Sequence, residues 1–346
     1  MKTAFISLLF VASSIVLFQQ KSIAQDIHFS QFAETPLLRN PALAGIFSGD
    51  VRVQAVFRNQ WSSVTVPFQT SSLNAEYKLP VGNGDDFLTL GGAVLYDKAG
   101  TIALTSTSVL PVINYHKSLS AEKNMYLSGG FSAGIVQRRF DPSKMTTNSQ
   151  YDGINNDVAY GTGENFATTN FHYFDGSAGL SFNSQIGSNP DNNFYLAIAY
   201  DHFNPSAKVS FYNDADVKID PKWVYSAGLK TAVNDFAYMT FYADYSQQGT
   251  YSEIIGGMLY SFKLDELADD ARHIISGGMF LRWNDAFIPM VKVDVLPLTF
   301  AFSYDINISS LKASSQSRGG FELSLAYQKF LDRDNSSSQS VRCPRF

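Results

Sequence analysis

The sequence predicts an all-β fold: a transmembrane outer-membrane β-barrel of about 14 antiparallel strands, with an N-terminal plug segment and a short periplasmic C-terminal tail. Three observations carry this expectation. Of the 346 residues, 45% are apolar and 14% aromatic, but only 16% are charged. An average soluble domain carries about 25% charge, yet mean hydropathy here is nearly neutral at −0.08. Beyond the first 24 residues no apolar stretch approaches the ~20 residues of a spanning helix; apolar side chains alternate instead. Finally, long and short connections alternate along the chain, as they do in a barrel with outer loops and periplasmic turns.

Residues 1–24 read as a secretory signal peptide. Lys2 supplies a positive start, Phe5 to Phe18 an apolar core, and Ser22-Ile23-Ala24 the small residues of a cleavage site. Removing Lys2 and Lys21 leaves 24 basic and 31 acidic residues, a balance that argues against nucleic-acid binding. The single cysteine, Cys343, excludes a disulfide within the chain.

The barrel is placed at 50–330. Phe321, Leu323, Leu325 and Tyr327 alternate with Glu322, Ser324, Ala326 and Gln328. A strand sends these two sets to opposite faces. The same pattern runs through 298–305, 125–135 and 194–201. Strands are expected near 50–60, 68–79, 87–96, 104–117, 124–138, 168–183, 192–200, 222–233, 236–245, 251–263, 272–283, 287–295, 298–306 and 320–330. Pro111 and Pro289 weaken two of these segments, because proline donates no ladder hydrogen bond. Aromatics recur at strand ends, among them Trp61, Tyr96, Tyr115, Trp223 and Trp283, as in the girdles at membrane interfaces. The long connections 139–167, 201–221 and 307–319 then share one rim, and Asn234-Asp235 and Leu296-Pro297 lie on the other.

Two segments remain outside the strands. Residues 25–49 lack strand periodicity. Residues 331–346 form a Ser-rich tail ending in Cys343, Pro344, Arg345 and Phe346. Signals for chemistry are weak. His28, His116, His172, His202 and His273 show no metal-ligand spacing, so no metal or cofactor is expected. Asp152, Asn155, Asn156 and Asp157 lack EF-hand spacing and read as a solvated turn. Serines on the lumen face are what the pattern requires, so no enzyme activity is expected.

One resemblance covers nearly the whole mature chain. Its residues are Gln25 to Gly45 (QDIHFSQFAETPLLRNPALAG), Arg58-Asn59-Gln60-Trp61, Pro67 to Thr70, Tyr96 to Gly100, Ser303 to Leu311, Phe321 to Tyr327 and the closing Cys343 to Phe346. These resemble the PorP/SprF family of type IX secretion membrane proteins from the Bacteroidetes. The resemblance implies a cell outer-membrane protein of the secretion and gliding-motility machinery. Its implied partners are the C-terminal signal domain of a secreted surface adhesin, or the ring lipoproteins of the periplasm. Asn40-Pro41-Ala42 is also similar to the hatch of fatty-acid-transporter-like barrels, and this leaves a channel or hydrophobic-solute transporter as the alternative.

A lumen this wide holds water unless something fills it, and 25–49 is the available filler. Asn40 favours a local turn and Pro41 fixes its own φ, so Asn40, Pro41, Ala42 and Gly45 are the expected plug motif. Arg58, with Gln60 and Trp61 on the first strand, either reaches inward to a carboxylate such as Glu76 or Glu322 or anchors at the interface. The tail residues Cys343 to Phe346 are the expected partner contact.

Overall fold

A computed structural model describes residues 26–331, except 63–65, 83–84, 152–160, 190, 205–208, 213, 215–216, 269–270 and 311. The signal segment, the acidic loop group at 152–157 and the tail motif Cys343 to Phe346 lie outside the described residues.

Fourteen antiparallel strands close into one barrel in sequence order, with the last pairing to the first. They are β1 (Val51–Gln60), β2 (Phe68–Pro80), β3 (Phe87–Ala99), β4 (Leu104–Ser120), β5 (Met125–Arg139), β6 (Asn170–Gln185) and β7 (Asn193–Asp201), followed by β8 (Lys222–Asn234), β9 (Ala237–Gln248), β10 (Tyr251–Lys263), β11 (His273–Arg282), β12 (Ala286–Val295), β13 (Leu298–Asn307) and β14 (Arg318–Lys329). The closing seam runs without interruption from Val51↔Lys329 to Gln60↔Gly320. Closure leaves no sheet edge, so the strand backbones pair with one another around the whole wall.

The alternation decides which side is which. On β13, Phe300 and Phe302 are 49% and 47% exposed, whereas Ser303 between them and Asp305 is fully buried. Leu323, Leu127 and Leu196 face outward in the same way. An apolar belt of this extent cannot stand in water. In a bilayer it is the lipid-facing surface, with a polar interior behind it.

Both prolines sit inside strands rather than ending them. Pro111 pairs across to Gly92 on β3, while the β4–β5 ladder skips from Val109 to Val112. Pro289 likewise pairs to Met279, and the β12–β13 ladder skips from Phe287 to Met290. In each case the missing donor falls where one neighbouring ladder is already interrupted. That removes the penalty the sequence implied.

Connections 140–169, 202–221 and 308–317 rise from one rim; 235–236 and 296–297 turn on the other, where 264–272 is the longest link. The two longest are fastened together. Phe211 meets Phe140 and Phe171, each at 4.7 Å, and accepts hydrogen bonds from Ala167 and Thr168.

Candidate functional site in the lumen

Residues 26–50 lie inside the cylinder and bond to inward-facing side chains all around it. A buried irregular segment must satisfy its own backbone groups, and here the wall supplies the partners in tiers.

The tier nearest the long-loop rim is ionic. Asp26 meets Lys222 at 2.9 Å and His202 at 3.5 Å. His202 also bonds Asp175 at 2.6 Å. Burial alone would lower the His202 imidazolium, but Asp175 and Asp26 push it up to about 10. One tier down, Glu322 accepts from the backbone N–H groups of Ser30 and Gln31, both at 2.7 Å. Its carboxylate also faces Arg58 at 3.3 Å. Arg58 donates to the His28 carbonyl and pairs with Asp305, which Arg282 holds at 2.8 Å. Arg58, Arg282, Asp305 and Glu322 are all 3% exposed or less. Charges this deep persist only when paired and hydrogen-bonded.

Midway down, Glu34 takes Lys292 at 2.7 Å and the Gln54 amide at 2.6 Å. Arg39 reaches Asp244 at 3.1 Å and the Tyr195 hydroxyl at 3.0 Å. Phe32 fills the space beside them and packs edge-on to Phe280 at 5.7 Å.

The Asn40-Pro41-Ala42 turn sits against β4–β6. Asn40 caps it, its side-chain oxygen accepting from the Ala42 N–H at 2.7 Å. Asn114 donates to the carbonyls of Ala42 and Ala44, and Ser181 to that of Ala42. Gly130 and Gly179 form the floor. A Cβ on Gly130 would fall well under 3.0 Å from the Pro41–Ala42 backbone, and one on Gly179 well under it from the Asn40 side chain. Gly45 follows at φ +84, donating to Glu76 at 2.7 Å. A side chain there would meet Thr89 and His116 as well as the backbone penalty. Glu76 itself pairs with Arg52 at 2.6 Å.

Of the residues singled out in the sequence, Asn40, Pro41, Ala42 and Gly45 therefore form one turn against the wall. Arg58 faces inward to Glu322, while Glu76 is taken by Arg52. Gln60 and Trp61 stand at the rim end of β1. Trp61 has φ +59, and its ring lies 5.0 Å from Phe68. Sequence reasoning missed Glu34, Arg39, Asp244, Arg282, Lys292, Asp305, Asn114 and the two glycines. The signal was available in part: Asp305 is a charge on the otherwise small, inward face of β13 (Thr299, Ala301 and Ser303).

His273 Nδ1 lies 2.9 Å from Asp265 at the exposed turn rim, and two further histidine pairs lie inside the wall. Ser128 Oγ lies 2.7 Å from His116 Nδ1, but Thr89 and Asn114 flank His116 Nε2 and Phe87 stacks on the ring at 3.9 Å. Both residues are buried. His202 sits between two carboxylates and is held protonated, which removes it as a general base.

One cavity lies beside the segment in the lumen. At about 70 Å³, next to Glu34, Arg39 and Tyr242, it has room for a few waters. A larger concavity of about 720 Å³ lies on the outer, lipid-facing wall among Leu73, Val94, Phe300 and Leu323, across the wall from the lumen.

Apolar outer wall, polar lumen and closed seam together define an outer-membrane β-barrel. Residues 21–327 match the family described as type IX secretion system membrane protein PorP/SprF. The chain belongs to that family. Solved barrels are similar at low identity. CdiB from Acinetobacter baumannii is 9% identical with TM-score 0.41, over 80% of this chain and 60% of CdiB. The CymD monoaromatic hydrocarbon channel is 11% identical with TM-score 0.46, over 87% of this chain and 94% of CymD. A Pseudomonas aeruginosa FadL homologue is 9% identical with TM-score 0.46, over 85% and 94%. Curated protein sequences give no match.

Proposed function

We propose that this member of the type IX secretion family is a docking platform rather than a conduit or an enzyme. Residues 26–50 act as a plug. The packed long loops hold the C-terminal signal domain of a secreted adhesin at the cell surface, and the tail 331–346 meets the periplasmic ring. The carrying observation is the filled lumen. Paired buried charges bind the segment at several heights, and the cavity beside Glu34 and Arg39 has room for only a few waters. The fastened loops support the surface role, because a ledge that is already ordered loses little entropy on binding.

The test is affinity purification from native outer membranes, comparing the full chain with versions lacking 141–166 or 332–346. Loss of a secreted adhesin from the first and of ring lipoproteins from the second is the expected result. Unchanged partners in both would overturn the platform assignment. A large steady conductance of the full chain in planar bilayers would overturn the plug and favour a channel.

A further inference from the structure

The N-terminal segment descends through the lumen in one direction. Asp26 bonds Lys222, the first residue of β8, and His202, just past the end of β7; both lie at the long-loop rim. Ser30 and Gln31 meet Asp305 and Glu322, just below that rim. Asn40 and Ala42 meet β4 and β6 in the lower half. Asp50 lies at the opposite rim, where its N–H donates to the Lys329 carbonyl and its carboxylate accepts from Leu331 N at 2.7 Å. A barrel with an even number of strands brings β1 and β14 to one rim, so both chain ends are expected on that side. This segment carries the amino end back across.

We infer that Asp26, the first described residue of the segment, lies at the cell-surface face beside the long loops, while Leu331 lies at the periplasmic face. The orientation rests on loop length, since outer-membrane barrels place longer loops outside. Residues 26–50 are then a continuous strut from the Asp26 ion pairs at the surface to Asp50 at the opposite rim.

The experiment uses the full chain in native membranes with Cys343→Ser as background. Four single-cysteine versions are compared: a cysteine inserted directly before Asp26, Asp26→Cys, Val217→Cys and Leu267→Cys. Val217 and Leu267 are exposed on the long-loop and opposite rims, at 44% and 73%. A membrane-impermeant maleimide is applied to intact and to permeabilised cells. Both N-terminal cysteines should label on intact cells to the extent of Val217→Cys, with Leu267→Cys labelling only after permeabilisation. Labelling of the N-terminal cysteines only together with Leu267→Cys, or in neither condition, would overturn the inference. So would surface labelling of Leu267→Cys with Val217→Cys protected. The labelling is repeated in cells lacking secreted adhesins, so that a long-loop rim covered by cargo is not read as an inaccessible one and the inference and the proposed function fail separately.

Discussion

Replacing Glu322 with alanine isolates the force that seats the N-terminal segment. The carboxylate accepts two backbone N–H groups at 2.7 Å and faces Arg58 at 3.3 Å, at 1% exposure. Its removal leaves two buried donors short of an acceptor, at about 1–3 kcal/mol each. Breaking a buried ion pair costs about 3–5 kcal/mol. These terms overlap, and Arg58 retains Asp305, so about 3–5 kcal/mol covers the whole change. At 1.4 kcal/mol per tenfold, local opening of residues 28–34 should rise by about two to three and a half orders of magnitude. Strand amides should hardly change, because Glu322 contributes its ladder bonds through the backbone. Hydrogen exchange in detergent micelles reads both quantities in one sample. Unchanged protection of Ser30 and Gln31 would refute the argument, and so would equal loss across β13 and β14. Glu322→Gln, which keeps one acceptor and the volume, should fall between.

Gly130→Ala should displace the Asn40–Ala42 turn at a cost of about 1–3 kcal/mol, raising protease cleavage within 36–48 while the barrel stays folded; undiminished resistance would count against the glycine floor. Phe302→Arg places a charge at mid-height of β13 on the outer wall and should cost about 2–4 kcal/mol in vesicle unfolding titrations. No loss there would remove the lipid-facing assignment. The Asp26–His202–Asp175 cluster should be pH-dependent. The His202 value is raised from 6.5 to about 10, so its contribution is fully present below 6.5 and is lost as pH rises through about 10. Amide protection near residue 28 should fall on that rise, and His202→Gln should flatten the profile.

All fourteen strands were legible in the sequence because the period-2 pattern and the lipid-facing belt are the same physical fact. A residue such as Phe302 must be large and apolar, and Ser303 must be small, for one reason. The expected ends missed by a few residues where the ladder continues past the apolar belt, as at 97–99 of β3 and 118–120 of β4. The lumen was much less legible. Asn40 and Pro41 announced a turn, but nothing local to Glu34 or Arg39 points to Lys292 or Asp244, which lie far along the chain. Such pairs are set by the wrap of the whole cylinder. Arg58 was open between two roles for the same reason: Glu322 was one of the two carboxylates named for it, but whether it reached inward at all was set by the wrap.

The route of residues 26–50 also constrains how the molecule can be made. A chain that enters at one mouth and reaches the other cannot be slipped sideways into a cylinder whose wall is already sealed. Either it reaches its place end-on, the amino end drawn up through the mouth at Asp50, or the β1–β14 seam zips shut around it. Glu322 lies on that seam and clasps the segment on either route, so Glu322→Ala should slow final closure of the wall only where the seam closes last.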